Sequence, residues 1–257
     1  MNATRTGTTT APFRDATRLL TSVLAPLEKR TLLWLAARMP RAVNSDHLTL
    51  LALVAMLAAG ACYWLAGSAP AIGLPLVVLC LAINWFGDSL DGTLARVRNQ
   101  QRPRYGFYVD HVVDMFGIAF LLGGLALSGY MHPFIAVGLL AAYFMLSAEI
   151  YLATHSVGVF RMSFFKVGPT ELRILLSIGN LVLLVHPMAT LFGHQYRLFD
   201  VGGVVAIGGL LMTLVVSAIQ NTRALYLAEP IPPAPAPAAL APAQSPNLKV
   251  SQSPNLS

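Results

Sequence analysis

The sequence predicts an all-α, polytopic membrane protein: a bundle of six transmembrane helices with an amphipathic interfacial helix before them. Three observations predict it. Hydrophobic residues make up 56% of the 257-residue chain and charged residues only 11%, with a mean hydropathy of +0.64, outside the range of soluble domains. Six apolar segments, near 47–66, 71–92, 108–128, 133–153, 171–188 and 202–222, are long enough to cross a bilayer, which takes roughly 20 helical residues. Sixteen of the seventeen Lys and Arg residues fall on one side of that six-span arrangement, with Arg197 alone on the other. Such an excess marks the cytoplasmic face.

The elements follow in chain order. Residues 1–45 form a cytosolic segment. Its first ten residues are polar, with no apolar stretch of the kind a cleavable signal needs. Within it, Leu27 to Met39 carries Lys29, Arg30, Arg38 and Trp34 and reads as an amphipathic helix in the anionic headgroup layer, or packed on the cytosolic loops. Residues 46–225 hold the six spans, separated by short polar or Gly/Pro connections such as Gly67-Ser68-Ala69-Pro70. Residues 226–257 form a Pro- and Ala-rich tail expected to be extended or disordered. This arrangement puts the chain in the cell membrane as a multi-pass protein with both termini cytosolic. The net charge of +6 follows from topology and does not indicate a nucleic-acid partner. Cys62 and Cys80 lie in apolar runs and offer neither a disulfide framework nor metal-ligand spacing.

The chemistry lies where the carboxylates cluster. The chain has eleven acidic residues, and four of them, Asp88, Asp91, Asp110 and Asp114, fall within residues 88–114. A carboxylate close to lipid is costly unless a cation or a wet cavity stabilises it. At about 100° per residue, Asp88, Asp91, Gly92 and Ala95 share one helix face with Arg96 beside them. Gly106, Asp110 and Asp114 share a face of the next helix. The link from Val97 to Tyr105 is short, so the two helices are expected to be antiparallel neighbours whose carboxylate pairs face each other near the cytosolic surface.

Four carboxylates this close need cations to stay ionised. Hard oxygen ligands suit Mg²⁺ or Mn²⁺, and two such ions are plausible here. Gly92, Ala95 and Gly106 leave room for a substrate to approach the backbone, and Arg96 supplies a fixed cation for phosphate. Together these point to a phosphorylated ligand, with a pyrophosphate fitting best. The alternative is a buried ion-paired network that only locks two helices together.

These residues resemble the signature of the CDP-alcohol phosphatidyltransferases, D-x2-D-G-x2-A-R-x8-G-x3-D-x3-D. All eight signature residues are present: Asp88, Asp91, Gly92, Ala95, Arg96, Gly106, Asp110 and Asp114. One departure is that nine residues, not eight, separate Arg96 from Gly106. The insertion falls in the loop and leaves each helical half in register. Ser45 to Thr49, Glu149-x-Tyr151 and Gly168 to Arg173 are also similar to stretches seen in many members, so about residues 40–225 are covered.

The resemblance implies an enzyme of membrane phospholipid synthesis. It would transfer a substituted phosphoryl group from a CDP-linked donor to an acceptor hydroxyl, releasing CMP. Asp88, Asp91 and Asp110 would be the principal ligands of two divalent cations, and Asp114 would share one while acting as general base. Gly92, Ala95 and Gly106 would admit the nucleotide, and Arg96 would contact phosphate. CDP-diacylglycerol with a small polar alcohol or alcohol phosphate is the favoured pair; a CDP-aminoalcohol with diacylglycerol is the alternative. The family also suggests a homodimer.

Other polar residues stay open. Glu149 is the only acidic residue in the fourth span; it either contacts the acceptor or makes a structural hydrogen bond. Arg161, Lys166 and Arg173 either bind an acceptor phosphate or lipid headgroup, or serve as orientation charges. His111, between the last two aspartates, reads as a packing histidine, and Thr49 either caps the first span or lies near the nucleotide. A divalent-cation transporter would place carboxylates at mid-membrane or in several spans, and it leaves Gly92, Ala95 and Arg96 unexplained. A non-catalytic scaffold would lack one or more motif aspartates, and none is missing.

Overall fold

The computed structural model describes residues 17–19, 24–157, 159–161, 168–229 and 231, with 17–19 and 159–161 in backbone only. Seven helices run through the described residues: α1 (Ala25–Arg38), α2 (Ser45–Ala66), α3 (Pro70–Val97), α4 (Pro103–Ser128), α5 (Pro133–Val157), α6 (Pro169–Leu183) and α7 (Leu198–Ala228). The expected all-α class holds, and each of the six expected apolar segments forms a helix. The Pro-rich tail lies outside the described residues, apart from 226–229 and 231, of which the first three extend α7.

Local sequence explains where the helices begin. Pro70, Pro103, Pro133 and Pro169 each open one, where the missing N–H has no intrahelical partner to lose. Asn44 caps α2: its Oδ1 accepts from the His47 amide at 2.9 Å, and the His47 ring accepts from the Asn44 amide at 3.4 Å. Gly129 ends α4 with φ +83°, a left-handed cap that glycine adopts without strain.

The six-span expectation is met in part: among the described residues, five helices, α2 to α5 and α7, are long and apolar enough to cross a membrane. The helix at 171–188 stops at Leu183 after 15 residues, about 22 Å. Its apolar run continues through Leu184 and Val185, which made it read as a full span, but Pro187 has no N–H to extend it. The chain then makes an unpredicted antiparallel hairpin, β3 (Met188–Leu191) with β4 (His194–Arg197). Phe192 and Gly193 form its two-residue turn, both at positive φ, as a tight hairpin requires. A second strand pair, β1 (Thr17–Leu19) with β2 (Val159–Arg161), is parallel. Even so, α6 traverses much of the bundle: it starts beside α3's carboxylate end, and Asn180 reaches Tyr63 near the far end of α2.

The core lies between α2, α3 and α4, with Ala59, Tyr63, Leu74, Val77, Leu81, Leu121 and Leu125 buried together. The α2–α4 crossing brings backbone against backbone. A Cβ on Gly124 would sit 2.0 Å from the Gly60 carbonyl oxygen, and one on Gly60 would sit 2.3 Å from that of Phe120. Neither neighbour is a side chain that could turn aside. Gly124→Ala is therefore expected to cost about 3 kcal/mol or more through overpacking, whereas Gly123→Ala, with nothing within 4 Å, should be neutral. Thermal unfolding of both variants in one detergent checks this.

A second, smaller cluster docks α1. Leu32 and Ala36 pack against Leu48, Leu90 and Leu94, while Leu27, Leu33 and Trp34 face outward and Arg38 lies over the Trp34 ring at 4.1 Å. The amphipathic helix thus covers the carboxylate end of α3. The loop before α4 fastens the same corner. Arg98 donates to the backbone oxygens of Val43, Met39 and Pro40, and Arg102 pairs with Asp46.

Candidate active site

Helix length sets the depth of the site. Asp88 lies eighteen residues beyond Pro70, about 27 Å along α3, close to the edge of a hydrocarbon core about 30 Å thick. The antiparallel partner α4 brings Asp110 and Asp114 up from its first turns. One carboxylate oxygen each from Asp88, Asp110 and Asp114 lie within 4.8 Å of one another. Asp88 and Asp110 are i and i+22 in sequence, so this meeting belongs to the helix pairing and not to either helix alone.

Asp91 is not in that group. Its Oδ2 accepts from Thr49 Oγ1 of α2 at 2.6 Å, its Oδ1 from the Gly92 amide, and its backbone oxygen from Ser45 Oγ at 2.9 Å. With 8% of its surface exposed, it is the most buried of the four. The expected two facing pairs thus become a triad with a fourth carboxylate held against α2. Thr49 does not cap α2, which Asn44 does; its hydroxyl holds a motif aspartate in one rotamer.

Arg173 enters the site from α6. Its Nη2 donates to Asp88 Oδ2 at 2.5 Å and its Nε to Asn84 Oδ1 at 2.8 Å. Asn84 is itself anchored, donating to the Ala52 carbonyl at 3.1 Å. The remaining nitrogen, Nη1, is buried and has no hydrogen-bond partner among the described residues. A guanidinium nitrogen so placed is a ready donor to an anion. Arg96, by contrast, is exposed at the rim: it donates to Thr93 Oγ1 at 3.1 Å, and its Nη1 lies 3.8 Å from where a Gly92 Cβ would stand. A Cβ at Gly106 would meet nothing within 4 Å, and Ala95 is half-buried. Gly92 therefore lies against the Arg96 guanidinium, and Gly106 borders open space.

The other sequence candidates divide. Glu149 accepts from Ser217 at 2.9 Å and Asn221 at 2.7 Å, both on α7, so its carboxylate ties α5 to α7. His111 is buried, its Nδ1 2.6 Å from the Phe107 carbonyl and its ring against Phe107 and Tyr151 at 4.1 and 4.6 Å. This is a packing environment. The side chains of Arg161 and Lys166 lie outside the described residues. Sequence reasoning missed Asn84 and Tyr143. Asn84 carried a signal, a polar residue one turn before Asp88 in an otherwise apolar run. Tyr143 and Tyr151, two turns apart on α5, come within electrostatic reach of Asp114, and nothing local to α5 announces that.

The donor set fits a divalent cation. Oxygens about 2.1 Å from a shared Mg²⁺ lie at most about 4.2 Å apart, so small side-chain rotations would close the triad on one ion. All three donors are hard carboxylate oxygens, which suit Mg²⁺ or Mn²⁺. One guanidinium cannot neutralise three carboxylates, and the remaining negative charge favours a cation further.

Comparison with known proteins bears on the family and the fold. A family described as CDP-alcohol phosphatidyltransferase matches residues 42–219. Among proteins of curated function, none matches the chain in sequence. Among solved structures, the fold is similar to that of the Mycobacterium tuberculosis phosphatidylinositol phosphate synthase PgsA1 with CDP-DAG bound. The two share 18% identity and a TM-score of 0.51 over 77% of this chain and 94% of that one.

Proposed function

Because the chain belongs to the CDP-alcohol phosphatidyltransferase family, and is a membrane enzyme of that class, we propose that it takes CDP-diacylglycerol as donor and a small polar alcohol or alcohol phosphate as acceptor. The observation that carries this is the Asp88–Asp110–Asp114 triad with Arg173 reaching into it. The CDP-DAG held by the structural neighbour supports the donor, and the unpartnered Arg173 nitrogen supports an acceptor bearing phosphate.

Asp88, Asp110 and Asp114, with Asp91 beside them, would hold two divalent cations, Mg²⁺ or Mn²⁺. When bound, these neutralise the diphosphate and the charge developing on the transferred phosphoryl group. Asp114 takes the proton of the acceptor hydroxyl. That oxygen forms a bond to the β-phosphorus of the donor, the bond from this phosphorus to the bridging oxygen breaks, and CMP leaves with the electron pair. Arg96 binds the nucleotide's phosphate at the rim, while Gly92, Ala95 and Gly106 leave the space it occupies. Thr49 holds Asp91 in one rotamer. The Lys/Arg asymmetry supports placing this site and both termini at the cytosolic face.

A donor and acceptor screen tests the reading. The protein in lipid nanodiscs, with Mg²⁺ or Mn²⁺, is expected to release CMP from CDP-diacylglycerol when the right alcohol is supplied, with the lipid product identified by mass spectrometry. EDTA should abolish release, and added Mn²⁺ should restore it. CMP from CDP-choline or CDP-ethanolamine with diacylglycerol would overturn the donor assignment, and no CMP from any donor would overturn the whole reading.

A further inference from the structure

Glu28 is the one acidic residue in the basic helix α1, and the reaction as described does not use it. Its Oε1 accepts three side-chain hydrogen bonds from two other helices: Trp85 Nε1 at 2.9 Å, Ser89 Oγ at 3.2 Å and Thr170 Oγ1 at 2.6 Å. A surface glutamate that only oriented a membrane helix would face water. This one is the meeting point of α1, α3 and α6.

The donors sit in register with the active site. Along α3, Asn84 and Asp88 form one i, i+4 ladder, which receives Arg173. Trp85 and Ser89 form the adjacent ladder, about 100° around the helix, which receives Glu28. On α6, Thr170 meets Glu28 and Arg173, one turn later, meets Asp88. The helices α1 and α6 therefore dock side by side on neighbouring faces of α3.

They are also fastened to each other at a second point. Glu171 Oε1 accepts from the Leu24 amide at the start of α1 at 3.0 Å, while its Oε2 accepts from the Gly168 amide at 3.0 Å and so caps its own helix. Each helix thus offers a first-turn glutamate to the other's N-terminus. Two positive helix ends lying together would otherwise repel, and two carboxylates between them offset that.

We infer that Glu28 is a positioning residue of the transfer site: by holding Thr170, Trp85 and Ser89 on one oxygen, it sets the register of α6 on α3 and so holds Arg173 against Asp88. The inference rests on the proposed transfer reaction for its kinetic consequence but not for its structural one. A small displacement of a charged group at the reacting centre costs about a hundredfold in rate. Losing the clasp should therefore lower kcat while leaving the donor's KM, set at the Arg96 rim, close to its original value.

The test uses the full chain in nanodiscs, following CMP release from CDP-diacylglycerol with the acceptor that supports it. Glu28→Ala is expected to lower kcat at least tenfold, with the donor KM changed less than threefold. Glu28→Gln, which keeps an acceptor oxygen, should recover part of the loss. In an Arg173→Ala background, Glu28→Ala should cause no further loss, because the residue it positions is gone. Losses that multiply in the double variant, or a kcat within twofold of wild type in Glu28→Ala, would overturn the inference. Should Glu28→Ala not fold, Thr170→Val removes only the α6 contact and is expected to lower kcat severalfold, again without effect when Arg173 is absent. Amide exchange of residues 170–174 gives a readout independent of catalysis. It should rise in Glu28→Ala while exchange in α7 stays unchanged, and unchanged exchange at 170–174 would sink the clasp. If wild type releases no CMP from any donor but exchange still rises, the transfer reading fails and the clasp stands.

Discussion

Asp114→Asn is expected to lower the rate of CMP release by about 10²–10⁴-fold, the usual contribution of a positioned general base. The amide is nearly isosteric and keeps an oxygen toward the triad, so the protein should elute and melt as wild type does. It cannot take a proton from the acceptor hydroxyl, and the groups around it have other tasks: Asp110, the nearest carboxylate on the same helix face, is assigned to the cation. Asp88 is engaged by Arg173 and Asp91 by Thr49, while Tyr143 and Tyr151 are phenols and poor bases at neutral pH. A steady-state assay at saturating donor, acceptor and Mn²⁺ checks this, and a variant keeping more than a tenth of the wild-type rate would remove Asp114 from its assigned role.

Asp88→Ala should damage both activity and stability, and the two losses can be separated. The ion pair it makes with Arg173 is mostly shielded, the side chains being 20% and 18% exposed. Removing one partner from such a pair costs up to about 3–5 kcal/mol, here reduced because Asp110 and Asp114 stay close to the guanidinium. Replacing both partners with apolar side chains avoids most of that cost. The double variant Asp88→Ala/Arg173→Met is therefore expected to recover much of the lost thermal stability and none of the CMP release. Thermal unfolding in detergent beside the activity assay gives the comparison. Equal melting of the single and double variants would show that Arg173 is not stranded when Asp88 is lost. Recovery of activity in the double variant would show that Asp88 is not needed for the reaction.

Much of this site was legible because helical phase is local. The spacing Asp110-x-x-x-Asp114 fixes one face of α4 whatever surrounds it, and the short link from Val97 to Tyr105 brings that face to α3. The family signature depends on the same short stretch, which explains how it could be read from a single chain. Helix existence was legible for a similar reason: long apolar runs behind an opening proline have few other solutions in a membrane. The end of α6 was not, because Leu184 and Val185 continue the apolar pattern and only Pro187 opposes it. The hairpin that follows turns on Phe192-Gly193, a dipeptide without the Asn-Gly or Asp-Gly composition that usually announces such a turn.

Asp91 and Glu149 show the boundary most clearly. From position alone, Asp91 reads as a carboxylate of the cleft, and Glu149 as either an acceptor contact or a structural hydrogen bond. Packing then drew Asp91 to Thr49 and Ser45 on α2, and Glu149 to Ser217 and Asn221 on α7. The sequence by itself determined the membrane-embedded helical class, the carboxylate faces and the kind of reaction they serve. Only the tertiary structure decided which carboxylates meet, that Arg173 answers Asp88 from 85 residues away, and that Glu28 of the surface helix joins the elements carrying them. The physical reason is that a residue's direction along a helix follows from 3.6-residue periodicity, while its partner across a helix interface depends on how side chains and glycine contacts, such as Gly60 against Gly124, let the backbones approach.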